Sequence, residues 1–146
     1  MRPAAVVAGA LFLAACGILP GPVPEWVVNR QPLESCGEEV LSQGEPHDQA
    51  VRGCLLQAFE DGRGAELISR QPTIEGDPIT RYLRVHENGV VEIFVDATGD
   101  RFGSGRWERI VCDELVPVGE ANDPPDVVFP AEMVFVENGC EELPVP

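Results

Sequence analysis

Apolar residues fall in a helical rhythm in one early stretch of the chain and in a strand rhythm after it. Within residues 45–61, Val51, Cys54, Leu55, Ala58 and Phe59 recur at i, i+3, i+4, i+7 and i+8, the spacing of one buried helical stripe. Pro46 suits a first turn, Asp48 suits the N-terminal end of the helix dipole, and Gly62 suits the C-terminal cap. Gly53 weakens the middle by about 1 kcal/mol relative to Ala. The period then changes to two. Residues 65–71 read as a strand, two further strands flank Asn88-Gly89, and residues 105–116 read as another. In that last run Trp107 and Val111 share one face, and Ile110 and Cys112 the other. After a Pro-, Asp- and Asn-rich loop over 117–125, residues 127–137 read as a final strand, broken or edged by Pro130.

The two strands around Asn88-Gly89 can be set in register. A two-residue turn would place Val85 opposite Glu92 and Leu83 opposite Phe94, which scatters the apolar residues over both faces. A three-residue loop, Glu87-Asn88-Gly89, pairs Val85 with Val91, Leu83 with Ile93 and Arg81 with Val95. Its other face pairs Arg84 with Glu92 and Tyr82 with Phe94, and Gly89 takes the left-handed position of a bulged loop. The second register gives one coherent apolar face, so it is the expected one. Arg84–Glu92 is then expected to be a solvated structural ion pair. The fold class these elements predict is α+β: one N-terminal amphipathic helix on an antiparallel sheet of four to five strands.

The start of the chain changes the setting. Arg2 followed by a small and apolar run over 4–15 reads as an export signal. It ends in Leu13-Ala14-Ala15-Cys16-Gly17, which resembles the lipobox of bacterial lipoproteins. That resemblance implies a signal peptide over residues 1–15, cleavage before Cys16, and a diacylglycerol on the Cys16 thiol. It places the chain in the bacterial cell envelope, anchored to the lipid bilayer on the extracytoplasmic side. The run is shorter than the roughly 20 residues a spanning helix needs. Residues 16–32 then carry Pro20, Pro22, Pro24 and Pro32 and read as a tether. Within it Trp26, Val27 and Val28 are expected either to dock on the domain, as a short edge strand, or to touch the membrane interface. Residues 33–146 form the single domain.

Four cysteines remain, Cys36, Cys54, Cys112 and Cys140, and an even number in an exported chain reads as two disulfides. Of three connectivities, Cys36–Cys54 and Cys112–Cys140 are favoured because each pair is close in sequence. Composition adds one exclusion. The chain is 146 residues long with a formal charge of −15, and all ten of its basic residues are Arg. Such a chain lacks the basic footprint that nucleic acid requires. Cationic partners and divalent metals stay open.

The candidate chemistry sits at the open end of the hairpin. The turn Glu75-Gly76-Asp77-Pro78 and the stretch Asp96-Ala97-Thr98-Gly99-Asp100 lie opposite the Asn-Gly tip, with Thr80 facing Asp96. Glu75, Asp77, Asp96, Thr98 and Asp100 are the candidate metal or ligand residues, and hard oxygen donors of this kind suit Ca2+. The 96, 98, 100 spacing matches the first three ligands of an EF-hand. The glycine due at the sixth position is Arg101 and the glutamate due at the twelfth is Trp107, so this is not an EF-hand. Asp and Thr in turns more often hydrogen-bond their own backbone, and Arg101 and Arg106 favour that outcome. No catalytic residue is expected. A carboxylate pair would need an apolar setting, Ser42, Ser69 and Ser104 lack a Gly-x-Ser-x-Gly context, and His47 and His86 stand alone without a CxxC.

The EGDPI segment, a hairpin, Asp96-x-Thr98-x-Asp100-x-Phe102-Gly103 and then Cys112, over residues 50–140, resembles an uncharacterised family of small bacterial lipoproteins described only as a domain of unknown function. The family often carries Arg where this chain has Gly99. The resemblance implies an extracytoplasmic lipoprotein and supplies no catalytic residue. The leading expectation is a membrane-tethered, non-enzymatic module that binds an unknown cell-surface protein or ligand. The alternatives are a calcium- or ligand-binding accessory protein using the acidic turns at 75–78 and 96–100, and an inhibitor of an exported enzyme.

Overall fold

A computed structural model of the chain describes residues 21–118 and 134–146. The expected signal peptide, Cys16, residues 17–20 of the tether, most of the loop at 117–125 and the start of the last expected strand lie outside the described residues. The described elements are, in order, α1 (Glu25–Val28), β1 (Glu34–Val40), α2 (Gln49–Glu60), β2 (Ala65–Pro72), β3 (Pro78–Val85), β4 (Val91–Asp96), β5 (Trp107–Cys112), β6 (Glu114–Pro117), β7 (Phe135–Asn138) and β8 (Glu141–Leu143). β1-β2-β3-β4-β5-β8 form one six-stranded sheet, and β6 and β7 form a second, two-stranded one. The fold is a mixed α+β fold with two disulfides.

Two corrections to the expected sheet follow. It has six strands rather than four or five, and it is not wholly antiparallel: β1 pairs with β2 in parallel. Parallel neighbours need a crossover, and α2 supplies it. The additional strands carry weak signals. β1 reads ESCGEEV with one buried residue, Glu39, and a bulge between Ser35 and Gly37. β8 is three residues long and edges the sheet beside β5.

The helix forms where its stripe predicted, with its start at the cap. Oδ1 of Asp48 accepts from the amides of Ala50 and Val51 at 2.9 and 3.3 Å. Pro46 lies before the helix rather than in its first turn. At the other end Gly62, at φ +65°, lets the Arg63 amide reach back to the Ala58 carbonyl at 2.8 Å. The buried face is rotated from the expected stripe: Arg52, Leu55 and Ala58 are buried, whereas Cys54 is exposed and reaches sideways to Cys36 on β1.

The β3–β4 register matches the three-residue-loop reading at every pair, from Val85↔Val91 through Leu83↔Ile93 to Thr80↔Asp96. Gly89 has φ +80° and the His86 amide donates to the Val90 carbonyl. Under α2 the sheet presents Leu67, Leu83, Val85, Val91 and Ile93, which pack with Leu55. Each such fully buried side chain contributes roughly 1.5–3 kcal/mol. The expected strand over 105–116 breaks at Asp113, whose amide donates to the Asn138 carbonyl. β6 and β7 therefore fold over the core and close it with Leu115 and Phe135.

The other face of the sheet is covered by the chain itself. Val27 of α1 is fully buried with Phe94 and Trp107, and the Trp26 ring meets Phe94 edge-on at 5.0 Å. Trp26 and its neighbours thus dock, as one helical turn and not as an edge strand. Arg30 follows, with Nε and Nη2 on the Glu66 carboxylate at 2.7 and 2.6 Å. The Gln31 carbonyl accepts from Nη2 of Arg84. This cover corrects the expected solvated ion pair: Arg84 is 2% exposed and Glu92 9%. Glu92 takes Arg84 Nη1 at 3.0 Å, Arg109 Nε at 2.9 Å and His86 Nε2 at 3.2 Å.

Candidate functional site

β3 and β4 bring the two acidic turns to one end of the sheet, as their register requires. In the first turn the Thr73 amide donates to the Asp77 carbonyl at 2.8 Å, and Gly76 takes φ +85°. In the second, Oδ1 of Asp96 accepts from the Thr98 amide at 3.0 Å and its hydroxyl at 2.6 Å. Oδ1 of Asp100 accepts from the amides of Phe102 and Gly103 at 2.9 and 2.8 Å. These are Asx-type turns.

The two turns are joined by one contact the sequence did not reveal. Both oxygens of Asp77 take donors from Arg101, the guanidinium Nε at 2.8 Å and the backbone amide at 3.1 Å. Asp77 is 7% exposed. Gly99 closes the same junction: a Cβ there would lie 2.9 Å from Cγ of Pro78, so any larger residue would require Pro78 to move. Asp77, Asp96, Thr98 and Asp100 are therefore brought together at one end but directed at separate donors. Glu75 lies exposed at the edge of the first turn. Among the described residues no three His, Cys, Asp or Glu side chains form a group fit for a metal ion. A cation here would compete with amides, the Thr98 hydroxyl and Arg101.

A third partner reaches this end. The Gly21 amide donates to Oγ1 of Thr98 at 2.9 Å, so the chain upstream of α1 is held against the second turn.

Sequence reasoning missed a second charged centre, beneath α2. Glu39 on β1 is 2% exposed. Its Oε1 accepts from Arg52 Nε at 3.0 Å, Arg52 Nη2 at 2.6 Å and the Ser69 hydroxyl at 2.7 Å, while Oε2 takes the Asp48 amide at 3.1 Å. Burial pushes the Glu39 carboxyl up, but the hydrogen bonds of Arg52 and Ser69, the Arg52 charge and the Asp48 amide outweigh it and hold the group below its ordinary value. Arg52 also lies 5.2 Å from the centroid of Phe135. The signal available was the stripe itself, since Arg52, Leu55 and Phe59 also recur at i, i+3 and i+7. With Oε1 taking Arg52 and Ser69 and lying 3.3 Å from His47 Nδ1, Glu39 is a structural carboxylate. On the opposite face burial raises the Tyr82 hydroxyl.

A cavity of about 150 Å³ between Ser69, Gln71, Thr73 and Arg81 is smaller than the usual range for small-molecule sites. A more open groove of about 480 Å³ runs between Trp107, Arg106 and the C-terminal Leu143-Pro144. The Trp107 Nε1 is buried without an acceptor among the described residues. Arg84 Nε lies 3.0 Å from Oε2 of Glu66 but makes no hydrogen bond, which gives an ion pair without N–H alignment.

No protein-family model, curated protein or solved structure matches the chain.

Proposed function

We propose that the chain is a lipoprotein of the bacterial cell envelope, held outside the membrane by an acylated Cys16, and that its domain is a non-enzymatic module that binds a cell-surface partner. The observation that carries this reading is the Leu13-Ala14-Ala15-Cys16 segment upstream of two disulfides, Cys36–Cys54 and Cys112–Cys140. Disulfides persist where thiols are oxidised, which agrees with export. A binding role is favoured over a calcium role because the carboxylates of the acidic turns already accept hydrogen bonds from Thr98, Phe102, Gly103 and Arg101.

Intact mass of the exported protein tests the anchor: a diacylglyceryl adduct on a chain beginning at Cys16 is expected, and an unmodified Cys16 defeats the reading. Crosslinking from the native cell surface tests the binding role. Repeated recovery of one partner is expected, and capture of nothing above a scrambled-sequence control counts against it. Calorimetric titration with calcium separates the alternative. Heat that disappears in the Asp96→Asn, Asp100→Asn variant would favour a metal site over the interaction module.

A further inference from the structure

The open end of the hairpin carries two large apolar side chains in solvent. Ile74, in the turn before β3, is 88% exposed, and Phe102, in the turn after β4, is 74% exposed. They belong to one unit, because Asp77 and Arg101 lock the two turns together. The Arg101 guanidinium lies 5.7 Å from the Phe102 ring centroid, so the cation sits beside the apolar tip.

The same end receives the chain from its N-terminal side. Gly21 is held to Thr98, and Cys16 lies five residues earlier. Five residues reach at most about 18 Å when fully extended. The Asn88-Gly89 tip lies beyond the eight residues of β3, a further distance of about 27 Å at the rise of a strand. An anchor at Cys16 therefore holds the end bearing Ile74 and Phe102 within reach of the bilayer and leaves the tip free to stand farther out.

We propose that Ile74 and Phe102 form a second membrane contact, entering the interfacial layer of the bilayer that holds the acylated Cys16 and setting the domain on end with the Asn88-Gly89 tip outward. This rests on the lipoprotein reading above. Apolar and aromatic side chains partition into that layer, and an anchor at Cys16 turns their entry into an intramolecular step at high effective concentration. Of the acids at this end, Asp77 is paired with Arg101, Asp96 and Asp100 accept hydrogen bonds within their own turns, and the exposed Glu75 beside Ile74 stays on the aqueous side of the layer. The chain's net charge of −15 selects a zwitterionic surface over an anionic one.

Hydrogen exchange on the acylated protein in phosphatidylcholine vesicles tests the proposal, with the Ile74→Ser, Phe102→Ser double variant alongside. In the native protein the amides of residues 75–76 and 103–105 should exchange several-fold more slowly than in the variant, and those of 87–90 at the same rate in both. Both substitutions are at exposed positions, so the melting temperature should not change. Equal exchange at the open end, or slowing at residues 87–90, overturns the proposal while leaving the lipoprotein reading standing. A mass without acylation overturns both. Slowing that appears in phosphatidylglycerol vesicles and not in phosphatidylcholine also overturns it, since the contact would then be electrostatic.

Discussion

Asp77 and Arg101 connect two turns that are 24 residues apart, through a guanidinium contact at 2.8 Å and a backbone amide contact at 3.1 Å to the two oxygens of one carboxylate. The carboxylate is buried and the arginine is half exposed. The amide contact is therefore the more valuable of the two, since solvent screens the guanidinium.

Replacing Asp77 by Ala leaves the Arg101 amide without its acceptor and should cost about 1–3 kcal/mol. Arg101→Ala keeps the amide contact and should cost less than Asp77→Ala. Urea unfolding of the two variants checks the order; an equal or larger loss for Arg101→Ala would contradict it.

Arg52→Ala strands a buried carboxylate. Removal of one partner of a buried pair costs about 3–5 kcal/mol. Adding Glu39→Leu to Arg52→Met removes both charges and should recover much of that loss. A double-mutant cycle in denaturant measures the coupling, and additive losses would show that the pair is not coupled.

Glu39 also makes stability depend on pH. Its folded value lies below the ordinary 4.5, so on acidification the unfolded chain takes up the proton first. The contribution is fully present above the ordinary value and is lost as pH falls through the lowered folded value. Melting temperature should fall with acid below 4.5 less steeply in Glu39→Gln than in the native chain. Parallel curves would rule out this carboxylate as a source of the slope.

The Cys112–Cys140 bridge closes 28 residues, and Cys36–Cys54 closes 18. Removing either by Cys→Ala pairs should cost about 2–4 kcal/mol, with under about 0.5 kcal/mol between them from loop length alone. β8 pairs with β5 through only three residues. Loss of Cys112–Cys140 should thus raise amide exchange in β8 more than loss of Cys36–Cys54 raises it in β1. The reverse ranking would show that β8 is held by its strand pairing.

The hairpin was legible because only one loop length aligns Val85 with Val91 and Leu83 with Ile93 on a common face. The helix stripe was legible to within one position; Cys54 was placed inside because cysteine reads as apolar, while Arg52 was passed over because arginine does not. β1 was hidden because its only buried residue is Glu39, whose burial depends on Arg52 and Ser69 from other elements. Burial of Arg84 depends on Gln31, 53 residues away, and no local pattern reports such a cover. At the open end the position of Asp77, Asp96, Thr98 and Asp100 followed from register. The direction of each carboxylate did not, because backbone amides in the turns choose it.

Residues 21–33 lie along the sheet's outer face, fastened by Thr98 at one end and by Glu66 and Arg84 near the other. For a domain pulled away from an N-terminal anchor, this run is where tension enters. The Thr98 contact gives first, then the Trp26 and Val27 packing, and β1 comes under load only afterwards. Once freed, these thirteen residues can span up to about 45 Å without unpairing a strand. Beyond that point the Cys36–Cys54 bond carries the load covalently into α2. The segment is a reserve of slack that yields before the sheet does.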